Sequence, residues 1–394
     1  MKKLFKSILN LAVTAGSAAM LFGCAAMEAE FMPTRDYGAD ISELAEAVGQ
    51  DGASSGVVTA AEWNDMAEWK FWGSLMNNSE WVAHASSWMF YPNKFAYVLA
   101  CTADEKPVAG CKVVLKKDGE EIWSAVSDNT GVAVVWDGMF STEFNPSSEG
   151  YTLEVGGEAL PQFEFTTLSK SEPVVNKCVV SGIKKDNAID VAFIVDATGS
   201  MGDEISFLKA DLIDIIDLVG KQCTASVRTG TVFYRDEGDE YVTKHSKFTK
   251  KVEETAKYIS KQEANGGGDY PEAVHTALLE GIQSLDWDSN ARSHIAFLIL
   301  DAPPHHTDPI IAACQKAVSD YSKYGIKLIP VACSGIDKET EYLLRSFALA
   351  TNGTYVFITD DSGVGGDHIE ATVGEYEVEK LRDLIARLII AYAK

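Results

Sequence analysis

The stretch from Ile189 to Gly202, IDVAFIVDATGSMG, constrains the fold of this 394-residue chain more than any other segment. Apart from Asp190, its first seven residues are apolar and rich in β-branched side chains, which is typical of a strand buried on both faces. The run ends at Asp196, two hydroxyl residues follow within four positions, and an amphipathic helical pattern begins after Ser200. Open α/β sheets bind ligands where a buried strand passes into a helix in this way. The stretch therefore predicts a ligand site at the carboxyl edge of a parallel sheet.

The chain from residue 186 to residue 394 alternates strands with helical patterns, which indicates a mostly parallel sheet. We predict a doubly wound α/β domain with six strands. These strands are expected at 189–195, 226–234, 240–245, 294–300, 326–331 and 354–358. The link between the second and third strands is short, so the third must run antiparallel to the second. With this order, three loops meet at the carboxyl edge: 196–200, 266–269 and the segment that begins at Asp301.

Each of these loops carries a carboxylate, and the first also carries two hydroxyls. Such oxygen donors suit a hard cation, so we predict bound Mg²⁺, with Mn²⁺ or Ca²⁺ as alternatives. The predicted ligands are Asp196, Thr198, Ser200, Asp269 and Asp301. Around them we expect a second layer of residues, consisting of Gly199, Gly268, Arg235, Asp236 and His305. The structural alternative is that Ser200 caps the helix with Asp203, the glycines form a turn, and Asp301 ends a strand.

The residues DATGS at 196–200 and LILDAPPH at 298–305 resemble the metal-ion-dependent adhesion site of von Willebrand factor type A (vWA) domains. The resemblance implies the vWA fold over 186–394. It also implies an ion held by the first loop and Asp301, and a protein partner that presents an aspartate or glutamate.

The second loop departs from the family pattern, because GGDYPE at 267–272 stands where a threonine would follow the glycines. This form is similar to a subset that contains GGGD-x-PE and DAPPH, some members of which carry other domains such as an alpha-kinase. Asp269 adds negative charge at this point. We therefore expect firmer metal binding and a weaker pull on an incoming carboxylate.

The segment 61–92 is rich in aromatic residues. It contains five of the eight tryptophans: Trp63, Trp69, Trp72, Trp81 and Trp88. We predict that a helix here packs its aromatic side chains on a neighbouring domain, and a sugar-binding platform is the alternative.

The segment 93–183 has short strands about 8 to 12 residues apart, which predicts an all-β sandwich. The stretches PVAGCKVVL and IWSAVSDNTGVAVVW resemble bacterial carboxypeptidase-regulatory-like and immunoglobulin-like modules. Nothing in the segment resembles a catalytic group, so we interpret it as a spacer.

The N-terminus begins with lysines, continues as an apolar run and ends in LFGC at 21–24. This pattern is that of a secretory signal and resembles the lipobox of bacterial lipoproteins. We predict a signal peptide over 1–23, lipidation of Cys24 and a small, acidic tether over 24–60. The protein would then be anchored to the cell envelope, at the outer membrane or cell surface. Cleavage of an ordinary signal peptide near Ala25 or Ala26 is the alternative.

The remaining cysteines are Cys101, Cys111, Cys178, Cys223, Cys314 and Cys333. None forms a CxxC pair, which argues against a structural zinc site. Export permits disulfides, with Cys101–Cys178 as one candidate, although the sequence leaves the pairing open.

The formal net charge of −24 argues against a nucleic-acid partner, because such proteins need basic patches. An enzyme is not expected either. Thr198 stands where a nucleophile elbow needs glycine, and no phosphate-binding loop of the GxxxxGK[ST] type occurs. We expect a binding protein. The alternatives are a metal ion that only holds the loops together, and a metal-dependent hydrolase that uses His294, His305 or His306.

Overall fold

The computed structural model describes residues 55–143, 147–363 and 368–394. The predicted signal peptide, Cys24 and most of the predicted tether lie outside these residues. Among the helices that the structure describes, none combines the length and the apolar character needed to cross a membrane.

An eight-stranded, mostly parallel sheet forms the centre of the fold. From edge to edge its strands are β12 (Thr243–Thr249), β11 (Ser226–Tyr234), β10 (Asp186–Asp196), β13 (Ala291–Leu300), β14 (Ile326–Ala332), β15 (Tyr355–Ile358), β1 (Thr59–Trp63) and β16 (Val378–Lys380). The run from β11 to β15 is parallel, and β12 is antiparallel to β11. The α/β class, the parallel sheet and the antiparallel third strand are thus confirmed.

The prediction of six strands is wrong, because β1 and β16 extend the sheet beyond β15. β1 pairs antiparallel with both neighbours, with Glu62 opposite Val356 and Ala60 opposite Glu379. It begins at Thr59, inside the segment that we interpreted as a tether. A five-residue strand whose partners lie about 300 positions away leaves no local hairpin signal in the sequence. The predicted third strand is also displaced, from 240–245 to Thr243–Thr249.

Helices cover both faces of the sheet. The first face carries α3 (Gly202–Gln222), α4 (Val252–Ile259) and α8 (Leu381–Tyr392), and the second carries α5 (Val274–Gln283), α6 (Asp308–Tyr324) and α7 (Lys338–Ala350). Side chains alternate along β10, since Val191 and Phe193 pack into the first layer while Ala192 and Ile194 pack into the second. This arrangement explains why the strand is apolar at nearly every position, and it is the doubly wound architecture that we predicted.

The tryptophan-rich segment forms α1 (Trp69–Leu75) and α2 (Ser79–Trp88), and its five tryptophans are buried. The ring of Trp72 lies 5.7 Å from that of Tyr342 on α7. On the other side, the ring of Trp69 lies 4.8 Å from that of Phe95, which belongs to the following β region. The rings therefore pack between two parts of the protein, and their burial rules out an exposed sugar-binding platform.

The β region comprises two four-stranded sheets. One contains β2 (Lys94–Cys101), β5 (Val132–Trp136), β8 (Thr166–Thr167) and β9 (Val175–Val179), and the other contains β3 (Lys112–Lys117), β4 (Glu120–Val126), β6 (Tyr151–Val155) and β7 (Glu158–Ala159). This β module packs directly on α6, where Trp123 Nε1 donates a hydrogen bond to Ser322 Oγ at 3.0 Å. One continuous apolar cluster joins the module to the second helix layer.

The candidate disulfide between Cys101 and Cys178 is absent, because both are free thiols. They lie on the paired strands β2 and β9, but the register places Cys178 opposite Ala100. Since successive side chains alternate between the two faces of a sheet, the thiols of Cys101 and Cys178 point to opposite faces. Cys111, Cys223 and Cys314 are also free thiols.

Candidate metal-binding site

The first loop of the site begins where β10 ends, at the centre of the sheet. Asp196 is fully buried, and its Oδ1 accepts hydrogen bonds from the backbone N–H and the hydroxyl of Thr198, at 2.8 and 2.7 Å. The Thr198 hydroxyl in turn lies 3.1 Å from that of Ser200. The loop therefore gathers one carboxylate and two hydroxyls, as the sequence predicted.

Ser200 does not cap α3. The chain first makes a 3₁₀ turn over Gly199–Met201, and neither this turn nor α3 has a side-chain hydrogen bond at its cap. The capping alternative is therefore wrong for Ser200, whose exposed side chain instead faces the cavity above the loop.

The second loop lies against the first. The backbone N–H of Asn265 donates to the Ala197 carbonyl, and that of Gly199 donates to the Gly266 carbonyl, both at 3.0 Å. The N–H of Gly267 donates to Asp239 Oδ2 at 2.8 Å, which ties the loop to the β11–β12 connection. These backbone contacts fix the separation of the two loops.

Gly267 is required by its conformation and by its neighbours. Its φ is +70°, and a Cβ atom there would lie 2.8 Å from Glu272 Oε1 and 3.3 Å from Thr198 Cβ. Any side chain at this position would therefore push Glu272 away from Thr198.

Glu272 is the acidic residue that this loop buries, with 2% of its surface exposed. Its backbone N–H donates to the Pro303 carbonyl at 2.9 Å, which joins the second loop to the third. Its Oε2 atom is buried without a hydrogen-bond partner among the described residues. Glu272 lies in the GGDYPE motif but was not among the predicted ligands. The Pro-Glu pair directly after the glycine loop was the signal that could have found it.

Asp269 and Asp301 border the same opening in different ways. Asp301 follows β13 and is 4% exposed, whereas Asp269 is exposed at the rim. A cavity of about 550 Å³ contains both, together with Ser200 and Glu272. The structure therefore brings together all three predicted loops. Within the second loop, Glu272 holds the buried position and Asp269 the exposed one.

Negative charge dominates the electrostatics of this edge. Burial, followed by the nearby charges of Asp196, Asp236 and Asp301, raises the pKa of Glu272 to about 9. Burial also raises the pKa of Asp196 to about 6, although its hydrogen bonds from Thr198 act in the opposite direction. Buried carboxylates without a cationic partner are costly when ionised. A bound cation would remove that cost.

The residues expected around the ligands brace the loops. Arg235 donates from Nε to the Ala197 carbonyl at 3.1 Å and from Nη2 to the Glu263 carbonyl at 2.9 Å. His305 Nε2 lies 2.7 Å from Asp236 Oδ1. Gly199 and Gly268 line the cavity.

The donor atoms of the site fit a hard cation but do not enclose one by themselves. In the described part of the chain, no three His, Cys, Asp or Glu side chains gather closely enough to hold an ion. Two hydroxyls accompany the carboxylates here, and small divalent ions keep several waters in proteins. The buried Oε2 of Glu272 and the hydroxyls of Thr198 and Ser200 therefore suit a partly hydrated ion better than an all-carboxylate cage.

The fold and the loop cluster define a Rossmann-like α/β domain with an oxygen-rich site at its carboxyl edge. Residues 190–353 match the family model of the von Willebrand factor A domain. The chain therefore contains a vWA domain, as the motif predicted.

Two curated proteins resemble parts of the chain. A putative ariadne-like RING finger protein of Acanthamoeba polyphaga mimivirus is 34% identical over 122 residues, which cover 30% of this chain and 11% of that protein. The alpha-protein kinase vwkA of Dictyostelium discoideum is 24% identical over 218 residues, which cover 55% of this chain and 34% of the kinase. The chain thus spans about a tenth and about a third of the lengths of these relatives.

Solved structures show only distant similarity. Proximal thread matrix protein 1 from the mussel byssus aligns with a TM-score of 0.36 and 14% identity, over 52% of this chain and 47% of its own. A second structure of that protein has a zinc-occupied metal site. The pilus adhesin SpaC from Lactobacillus rhamnosus GG aligns with a TM-score of 0.38 and 14% identity, over 53% of this chain and 31% of its own. These similarities are too distant to bear on the function of this chain.

Proposed function

We propose that the vWA domain is a non-catalytic binding module that holds a divalent cation, Mg²⁺ in the first instance, and captures a partner protein through it. The main support is the pair of buried carboxylates, Asp196 and Glu272, which lie beside two hydroxyls at one end of the sheet. When bound, the ion would offer a Lewis-acidic position that an aspartate or glutamate of the partner could occupy. Asp196, Thr198, Ser200 and Asp301 would hold it, with Glu272 beside them.

The open cavity above the loops supports a role in binding. It is about 550 Å³ in volume, and exposed Ser200 and Asp269 border it, so a side chain from another protein could reach the ligand residues. The acidic surroundings predict that metal binding is firm while capture of a further carboxylate is weak, since three carboxylates more than balance a 2+ charge.

Metal binding is tested by calorimetric titration of the full chain with Mg²⁺ and Mn²⁺. The double variant Asp196→Ala, Ser200→Ala should lose binding, whereas Asp217→Ala on the exposed side of α3 should retain it. Glu272→Gln should weaken binding without abolishing it. Unchanged binding in the double variant would disprove the proposed site.

Partner capture needs a separate experiment. The full chain, immobilised and loaded with Mg²⁺, should retain an envelope protein from an extract and release it when a chelator is added. If metal binds, chelation lowers stability and no protein is retained, the ion serves only to hold the loops together. The contacts between loops make that second candidate specific, because backbone hydrogen bonds already join the first loop to the second and the second to the third.

We also propose that the β module is an immunoglobulin-like sandwich that supports the vWA domain, and that a lipid on Cys24 anchors the protein to the cell envelope. The module's two sheets and its packing on α6 support the first proposal. The second is based on the sequence of residues 1–24 alone. Replacing Cys24 with alanine should move the protein from the membrane fraction to the soluble fraction. Unchanged fractionation would disprove lipid anchoring.

A further inference from the structure

A cavity of about 210 Å³ opens at the edge of the sheet opposite the metal-binding site. It lies between the starts of β13 and β14 on one side and the segment 126–128 of the β module on the other. Ile295 is the last residue of β13 that lines it, and Asp301 lies six residues further along the chain, about 20 Å at the usual rise of a strand. Neither the metal-binding site nor the proposed partner contact involves this cavity.

Positive charge is concentrated around this cavity. Four cationic side chains line it, namely Lys185, Arg292, Lys323 and Lys327, together with a single carboxylate, that of Asp128. This excess of positive charge is unusual for a chain that has 58 acidic and 34 basic residues.

Lys327 and Asp128 form an ion pair and neutralise each other. Lys327 Nζ lies 2.8 Å from Asp128 Oδ2 and donates to the Asn352 carbonyl at 2.5 Å. The other oxygen of Asp128 accepts from Thr130 and Val132. This pair therefore belongs to the packing between the module and the sheet, and it leaves three further cationic side chains at the cavity, those of Lys185, Arg292 and Lys323.

Those three cations have no side-chain carboxylate within ion-pair distance in the described parts of the chain. Lys185 Nζ donates to the Ser289 carbonyl at 2.7 Å, and Arg292 Nη1 donates to the main-chain oxygen of Lys394 at 2.6 Å. Lys323, at the end of α6, is exposed. Each group keeps donors beyond these contacts, because an ammonium has three and a guanidinium has five. Like charges around one cavity repel each other unless an anion lies between them.

We propose that this cavity binds a small oxyanion with two or more negative charges, of the phosphate or polycarboxylate type. The guanidinium of Arg292 can bind two oxygens of such a group at once, and the lysines supply point charges. A volume of about 210 Å³ admits a small anion but not a nucleotide-sized ligand. Bound there, the anion would join the β module to the vWA domain.

The test is calorimetric titration of the full chain with inorganic phosphate, and separately with citrate, in chloride buffers of equal ionic strength. Saturable binding of either anion supports the site, and the tighter of the two identifies the type of oxyanion. Arg292→Gln and Lys323→Gln should each weaken binding at least about tenfold, the usual loss for one charge-assisted hydrogen bond. Lys106→Gln is the matched control. It removes the same charge from an exposed position of the β module, and binding should not change.

Equal weakening by Lys106→Gln, or a response to chloride that matches that to phosphate, would mean an adventitious ion only. That result, or the absence of saturable binding, would overturn the proposal. Lys323 is exposed, so its replacement tests the site even if the Arg292 variant fails to fold. Asp196→Ala should leave anion binding intact, which separates this site from the metal-binding site.

Discussion

Replacing Gly267 with alanine tests directly whether the second loop shapes the metal-binding site. The backbone there has a φ of +70°, which costs an L-residue roughly 1–2 kcal/mol. The new methyl group would also lie 2.8 Å from Glu272 Oε1 and 3.3 Å from Thr198 Cβ. Overpacking of this kind costs about 1–3 kcal/mol more. We expect a total loss of about 2–5 kcal/mol, measured by urea unfolding in the presence of a chelator.

Gly119→Ala is the matched control, because Gly119 also has a positive φ, +88°, but nothing lies within 4 Å of its would-be Cβ. This variant should lose only the backbone contribution, about 1–2 kcal/mol, and bind Mn²⁺ like the wild type. Gly267→Ala should bind Mn²⁺ about 10- to 100-fold more weakly, the usual effect of disturbing groups that support a metal site. If Gly267→Ala binds Mn²⁺ normally, the positions of Glu272 and Thr198 do not matter to the ion, and our account of the site is wrong.

Three further predictions follow from buried charge and from the sheet. The folded-state pKa of Glu272 is raised from 4.5 to about 9. Between pH 4.5 and pH 9 the unfolded chain therefore binds fewer protons than the folded protein, so the metal-free protein should lose stability as the pH rises through this range. Urea unfolding at several pH values should show this slope in the wild type and a flatter one in Glu272→Gln, and equal slopes would refute it. Arg345 is completely buried against the carboxylates of Asp65 and Glu341, so Arg345→Met should lower the free energy of unfolding, measured in urea, by about 3–5 kcal/mol. The control is Arg387→Met at a half-exposed ion pair, which should lower it by less than about 1 kcal/mol. Similar losses in the two variants would contradict the burial of the first. The fragment 186–394 lacks the strand Thr59–Trp63, which leaves the edge of β15 unpaired. This fragment should therefore have a lower melting temperature than fragment 55–394 and should aggregate through that edge. Equal melting temperatures would show that the strand is dispensable.

The sequence was most informative where the decisive contacts are local. The strand that ends at Asp196 could be predicted because both of its faces are buried, and the first loop because Asp196 and Thr198 are two residues apart and bond to each other. Asp301 could be placed because parallel strands end at one edge of the sheet. The second loop was harder. Which of Asp269 and Glu272 is buried depends on how a glycine-rich turn folds over Thr198 and on a hydrogen bond to Pro303.

The sequence by itself thus determined the α/β class, the parallel sheet and the three loops that meet at its edge, because these depend on periodicity and on residues close together in the chain. Only the tertiary structure decided that Thr59–Trp63 joins the sheet, that the tryptophans are core, and that Cys101 and Cys178 face opposite ways. It also decided that Glu272 is the buried acid of the second loop. Each of these outcomes depends on partners, some of them hundreds of residues away, whose pairing and packing leave no mark in the local pattern.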